Sequence, residues 1–228
     1  MFTLGGVLLV VVVIALVVAP FVIHDLRQQR LHTEGVRRVA AEMGYVFFPK
    51  GDGKTLQELG RFHLFSRGKD KAIRNLVHGT ADSVEIKVFD YQHTFGGEDT
   101  YEVPRQTVIC FRSEELALPN FSLRPRTTFH KVTSALGLDE IAALFGFQDI
   151  VIEGRSWFSN YYLLQGDDEG SIRKLFHDRV LSFFEDHAGL CAEGAGGLLI
   201  LYRVSQRVDP EHLRLFIEEG FKVLALFQ

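Results

Sequence analysis

Val84-Glu85-Ile86-Lys87-Val88-Phe89-Asp90-Tyr91-Gln92-His93-Thr94-Phe95 is the stretch that decides the fold class. Val84, Ile86 and Val88 alternate with Glu85, Lys87 and Phe89, the period-two pattern of a strand with one face inward. Gly96-Gly97-Glu98-Asp99-Thr100 reads as a loop, and Tyr101-Glu102-Val103-Pro104-Arg105-Gln106-Thr107-Val108-Ile109-Cys110-Phe111-Arg112 returns. Two β-prone runs around a Gly-Gly loop predict an antiparallel hairpin. Pro104 cannot donate to a ladder, which places the start of the returning strand at an edge or bulge. Ala72 to Gly79 reads as a third strand beside the pair.

Working outward, Tyr45 to Phe48 is a short strand, Pro49 to Gly53 a turn and Lys54 to Leu59 a short helix, after which Phe62, Leu64 and Phe65 pack the start of the sheet. Phe121 to Pro125 is extended. His130 to Leu136 and Leu138 to Phe145 read as helical pieces and Ile150 to Ile152 as a strand. Asp167-Asp168-Glu169 opens a helix, where carboxylates cap free amides and face the positive end of the dipole. Its apolar stripe is Ile172, Leu175, Phe176, Val180, Phe183 and Phe184, and Gly189 ends it. Leu190 to Ala192 and Leu198 to Val204 form a second hairpin around Glu193-Gly194-Ala195-Gly196-Gly197. Asp209-Pro210-Glu211 starts a last helix, with Asp as cap and Pro at the first helical position. The expectation is an α+β domain over residues 45–228, built on antiparallel sheet with packed helices and divisible near residue 146 into two β-hairpin-plus-helix halves.

The N-terminal end has a different character. No charged side chain occurs from Met1 to Ile23, and Thr3 is the only polar residue in the run from Phe2 to Ile23. As a helix this run spans about 33 Å at ~1.5 Å per residue, which matches a hydrocarbon core of roughly 30 Å. A cleaved signal peptide would carry a basic start and a shorter apolar run. Residues 1–23 are therefore expected to be a transmembrane anchor, and residues 24–44 a juxtamembrane helix ended by Gly44. Arg27, Arg30, Arg37 and Arg38 flank the C-terminal side and no Lys or Arg the other. By the positive-inside rule the folded domain is cytoplasmic and the chain is single-pass. Its lipid partner is the bilayer around residues 2–23.

A formal net charge of −4, all of it beyond residue 23, argues against a nucleic-acid partner, which selects a basic face. The two cysteines, Cys110 and Cys191, lie in apolar strand-like runs and do not form a secreted disulfide framework.

The chemistry-bearing clusters are weak one by one. Gly51-Asp52-Gly53-Lys54-Thr55 lacks the earlier glycine of a phosphate loop, since Phe48 stands there. Gly194-Ala195-Gly196-Gly197 is followed by a strand, not by the helix a phosphate cradle needs. His177-Asp178 and Asp186-His187 share a helix without a third ligand. Ser156, Ser159 and Ser182 lack a nucleophile elbow. Asp90, Tyr91 and His93 lie across the hairpin from Gln106 and Thr107 as a polar set that could line a pocket. Asp167-Asp168-Glu169 reads as a cap, with a cation site as the alternative. No residue is assigned as catalytic, cofactor-binding or metal-binding.

Val88-Phe89-Asp90-Tyr91, Gln106-Thr107-Val108, Leu116-Ala117-Leu118-Pro119-Asn120-Phe121 and Phe158-Ser159-Asn160-Tyr161-Tyr162-Leu163 carry a likeness. Over residues 36–228 the chain resembles a group of uncharacterised bacterial membrane-anchored proteins, each with one N-terminal transmembrane helix and a soluble α+β domain. The shared elements include an entrance to a helix built here from Phe158, Tyr162, Leu164, Gly166, Asp168 and Glu169. The resemblance implies anchor, fold class and bacterial origin, and transfers no active site and no cofactor; with the orientation above, the expected location is the bacterial inner membrane. The expected function is a noncatalytic binding or scaffolding module with a protein partner at the membrane. The second reading is a membrane-tethered enzyme such as a hydrolase, which would join His93 or His177 to two carboxylates in a deep pocket.

Overall fold

The computed structural model describes residues 4–51, 53–66, 68–94, 103–126 and 147–228, with side chains of the first helix from residue 16 onward, 17 excepted. The helical pieces expected at 130–136 and 138–145 and the loop at 96–100 lie outside the described residues. Seven α-helices and nine strands are described. Helix α1 is Leu4–Glu42. Strand β1 (Val46–Lys50) follows, then α2 (Gly53–Leu59), α3 (His63–Ser66), β2 (Lys69–Ala81), β3 (Val84–Thr94), β4 (Arg105–Arg112), β5 (Leu118–Pro125) and β6 (Gln148–Asp149). After them come α4 (Ser156–Tyr161), β7 (Tyr162–Gly166), α5 (Glu169–Leu175), α6 (Asp178–Asp186), β8 (Leu190–Gly196), β9 (Leu198–Arg203) and α7 (Leu213–Leu226), the last preceded by a 3₁₀ turn at Pro210–His212.

The strands form one antiparallel sheet in the order β1-β2-β3-β4-β9-β8-β5-β7-β6. The α+β class and the hairpin of β3 and β4 hold, with Val88 opposite Ile109 and both side chains buried. The two expected halves do not have separate sheets, because β9 pairs with β4 of one half and β8 of the other. This also removes Pro104 from any edge: β4 is interior, and Pro104 lies just before its first residue, where no ladder bond is asked of it.

Alternation along the strands sends side chains to two faces. One face carries Ile86, Val88, Ile109, Phe111, Leu199 and Leu201 and is covered by the C-terminal part of α1 together with α5, α6 and α7. The other carries Phe89, Tyr91, Val108, Cys110, Ile200 and Tyr202 and is capped by Leu59, Phe62, Leu64 and Phe65 of α2, α3 and their connection. The segment expected only to begin the sheet is thus partly helical, with His63, Leu64 and Phe65 buried. On that face Glu58 of α2 reaches Lys87 at 3.3 Å and also meets Arg112, pinning the helix over β3 and β4.

Three other expectations shift. β1 includes Pro49 and Lys50, read as turn, and β6 lies at Gln148–Asp149, just before the expected Ile150–Ile152. The single helix expected after Asp168 is two, α5 and α6, separated at Phe176 and His177, whose backbones leave helical geometry. The apolar stripe crosses this break intact: Ile172, Phe176, Val180 and Phe184 are all buried in one cluster.

Helix α1 is 39 residues long, contains Pro20, and shows no interruption at the expected boundary after residue 23. His32, Val36 and Ala40 are buried against the domain, whereas Leu16, Phe21 and Ile23 are exposed. Among the described residues no helix is long and apolar enough to cross a membrane. Most side chains of the run 2–23 lie outside the described set.

Candidate functional site

Two polar centres, one on each face of the sheet, half-buried at Asp90 and buried at Glu193, are points where burial has to be matched by specific partners.

The first is Asp90 on β3. Its Oδ1 accepts from Thr107 Oγ1 at 2.8 Å, directly across the ladder on β4. Its Oδ2 accepts from Asn75 Nδ2 at 2.8 Å and lies 2.9 Å from His32 Nε2 of α1. Asn75 takes a positive φ of 51° at a register shift of β2, a conformation Asn tolerates better than most residues. Thr107 Oγ1 in turn accepts from Val208 N at 2.9 Å, in the segment leading to α7. One carboxylate therefore ties together α1, the bulge in β2, two central strands and the approach to the last helix.

The second centre is Glu193 on β8, which is 1% exposed. Its oxygens accept from His63 N at 2.6 Å, Leu64 N at 3.1 Å and Tyr202 Oη at 2.8 Å. Burial raises its pKa, opposed by the Arg124 guanidinium and by these donors. The same burial, with the Glu193 charge second, lifts the Tyr202 phenol well above its ordinary range. Arg124 donates to Gln165 Oε1 at 2.7 Å, and Gln165 donates to Asp149 at 2.7 Å, so the network runs from β9 to β6. A cleft of about 180 Å³ opens beside Glu193, lined also by Arg61, Asn120, Phe121 and Asp167. His63 lines it too, so an imidazole and the carboxyl groups of Asp167 and Glu193 border one cleft.

The other sequence candidates separate. The expected polar set is split by the pleat: Asp90 and Thr107 face α1, whereas Tyr91, His93 and Gln106 face the opposite side. His93 is buried and stacks on Tyr91 with centroids 5.1 Å apart, and Gln106 Oε1 accepts from Ser205 N at 3.0 Å. His177 is exposed at the start of α6, where Asp178 pairs with Arg155 at 2.9 Å. His187 stacks on Phe183 and bonds the Phe183 carbonyl at 2.8 Å. Neither His93 nor His177, the histidines expected in a deep pocket with two carboxylates, lines the cleft beside Glu193. Ser159 bonds both the N–H and the C=O of Ile152. Asp168 caps α5, accepting Ser171 N at 3.0 Å and Ser171 Oγ at 2.6 Å, and these bonds lower its pKa. Cys110 and Cys191 are buried free thiols, each pushed up to about 12 by burial. Gly194 and Ala195 are strand residues, not turn residues. Among the described residues, Asp209, Glu211 and His212 have mutual ligand spacing, and all three are exposed on one turn.

His32, Asn75 and Glu193 were not singled out from the sequence. The glycines around Glu193 read as a turn, although Cys191, Glu193 and Ala195 share a strand parity that points all three to one face. His32 and Asn75 carry no local pattern, because their partner lies 58 and 15 residues away.

No protein-family model matches the chain, and no curated protein matches it. Among solved structures the fold is similar to the crystal structure of the mycobacterial trehalose monomycolate transport factor A, TtfA. The TM-score is 0.56 at 12% identity, covering 86% of this chain and 91% of that one. At that identity the likeness is one of fold.

Proposed function

We propose that this chain is a noncatalytic binding or scaffolding module held at the bacterial inner membrane by residues 2–23, single-pass, with the sheet domain in the cytoplasm. The observation that carries this reading is the seating of α1. One helix bears the uncharged run at its start and is locked into the domain through His32, Val36 and Ala40 further along. The exposed Leu16, Phe21 and Ile23 are the side chains a bilayer would cover. The buried polar groups around Asp90 and Glu193 bond to strands and helices of the domain itself, as parts of a frame do. The fold neighbour bears the name of a transport factor.

Three measurements test it. A C-terminal reporter active only in the cytoplasm should work, and one active only in the periplasm should stay dark. Crosslinking in native membranes should then recover a defined protein partner. The opposite reporter result overturns the orientation. Release of the full chain by alkaline extraction of membranes overturns the anchor.

A further inference from the structure

The contacts of α1 show which end of the sheet faces the start of that helix. Asp25 lies 4.0 Å from Arg105, the first residue of β4, and His32 meets Asp90, which pairs with Thr107 further along β4. Strand β4 therefore runs along α1 and away from its uncharged run. Register carries the same end across neighbouring strands: Gln92 opposes Arg105, Lys69 opposes Thr94, and Thr107 N donates to Gln206 O in the turn after β9. If Ile23 marks the edge of the hydrocarbon, Asp25 to Arg30 span about 8 Å of helix, comparable to a headgroup layer of roughly 5–7 Å. The rim of the sheet is then level with lipid headgroups.

That rim is basic among the described residues. Arg27, Arg30, Lys69 and Arg105 are exposed and Arg207 is half-buried, against the exposed carboxylates Asp25 and Asp70. The connection at 95–102, which carries Glu98, Asp99 and Glu102, lies outside the described residues.

We infer that this rim, centred on Arg27, Arg30, Lys69 and Arg105, is a docking surface for an anionic bilayer, so that the domain lies against the leaflet. The inference rests on the anchor reading above. Charge complementarity with an anionic leaflet and continuity with the uncharged run of α1 select a lipid surface as the occupant. Each cation near such a surface strengthens association up to about five-fold.

The test uses the full chain in nanodiscs. Cys110 and Cys191 are buried, so Thr94→Cys gives one reactive thiol at the rim for a polarity-sensitive fluorophore. Quenching by headgroup nitroxide lipid is compared in zwitterionic discs and in discs one-third phosphatidylglycerol. The expected result is roughly two-fold or greater extra quenching in the anionic discs. That excess should disappear in a Lys69→Gln/Arg105→Gln variant and in high salt. Equal quenching in both lipids, with the chain retained in the discs, overturns the docking surface and leaves the anchor standing. Failure of the chain to stay in discs of either lipid overturns both.

Discussion

At the scale of the residue, Asp90 and Glu193 are the side chains on which most depends, and they respond to mutation differently. Asp90→Ala leaves His32, Asn75 and Thr107 facing an empty acceptor position. The expected loss is on the order of 3 kcal/mol in denaturant unfolding of the chain lacking residues 1–23, because each buried unpaired donor costs about 1–3 kcal/mol. His32→Leu should cost less, since Asp90 keeps two donors, and its effect should concentrate in hydrogen exchange of α1. Glu193 has its folded pKa raised above its unfolded value, with burial as the first cause. Between those two values the folded state holds the proton more tightly. The Glu193 contribution is therefore fully present below the ordinary Glu value of about 4.3 and is lost as pH rises through the folded value. Glu193→Gln removes this slope but sets an amide against one of the backbone N–H donors from His63 and Leu64. The variant should be less stable at low pH, with a gap to the wild type that narrows as pH rises. A gap that widens with pH would show that the donors, not burial, dominate the titration.

At the scale of the element, the β3–β4 hairpin was readable because its alternation is local and long. Val88→Asp or Ile109→Asp should each destabilise the domain by several kcal/mol, since both side chains are buried in one apolar cluster on the same face. A melting temperature near that of the wild type in either variant would contradict the register. The cap on α5 was also readable, from Asp168 followed by a helical stripe. Asp168→Asn should cost little and Asp168→Ala about 0.5–2 kcal/mol. Neither Ca²⁺ nor Mg²⁺ should raise the melting temperature, and a shift of several degrees lost in the Asn variant would make this a cation site. What escaped the sequence has physical reasons. The break between α5 and α6 leaves Ile172, Phe176, Val180 and Phe184 on one buried face, so periodicity cannot register it. Glu193 was hidden by the glycines after it. Gly194 is there because a Cβ would fall 2.3 Å from the Phe121 ring, a packing demand and not a turn. The insertion of β9 between β4 and β8 depends on pairing between distant strands, which no local window contains.

At the scale of the whole molecule, the sheet joins what the sequence divides near residue 146, and α1 joins what it divides at residue 23. The proposed anchor predicts that a chain lacking residues 1–23 loses membrane retention while keeping its fold, because burial by α1 begins at His32. Unfolding of that truncated chain, read by circular dichroism, would show that the missing turns are part of the core. The continuity of α1 also has a rotational consequence. Under the proposed anchoring, a helix without a flexible joint acts as an axle, and its angular phase would set which side of the domain meets a neighbour lying in the same membrane. One alanine inserted after Ile23 turns the domain by ~100° and lifts it ~1.5 Å, while seven restore the phase to within ~20° and lift it ~10 Å. Crosslinking to a membrane-embedded partner should therefore be disrupted by the single insertion and recover in angle with the seven. A partner indifferent to both insertions would be one that reaches the domain from the cytosol, where angular phase carries no information.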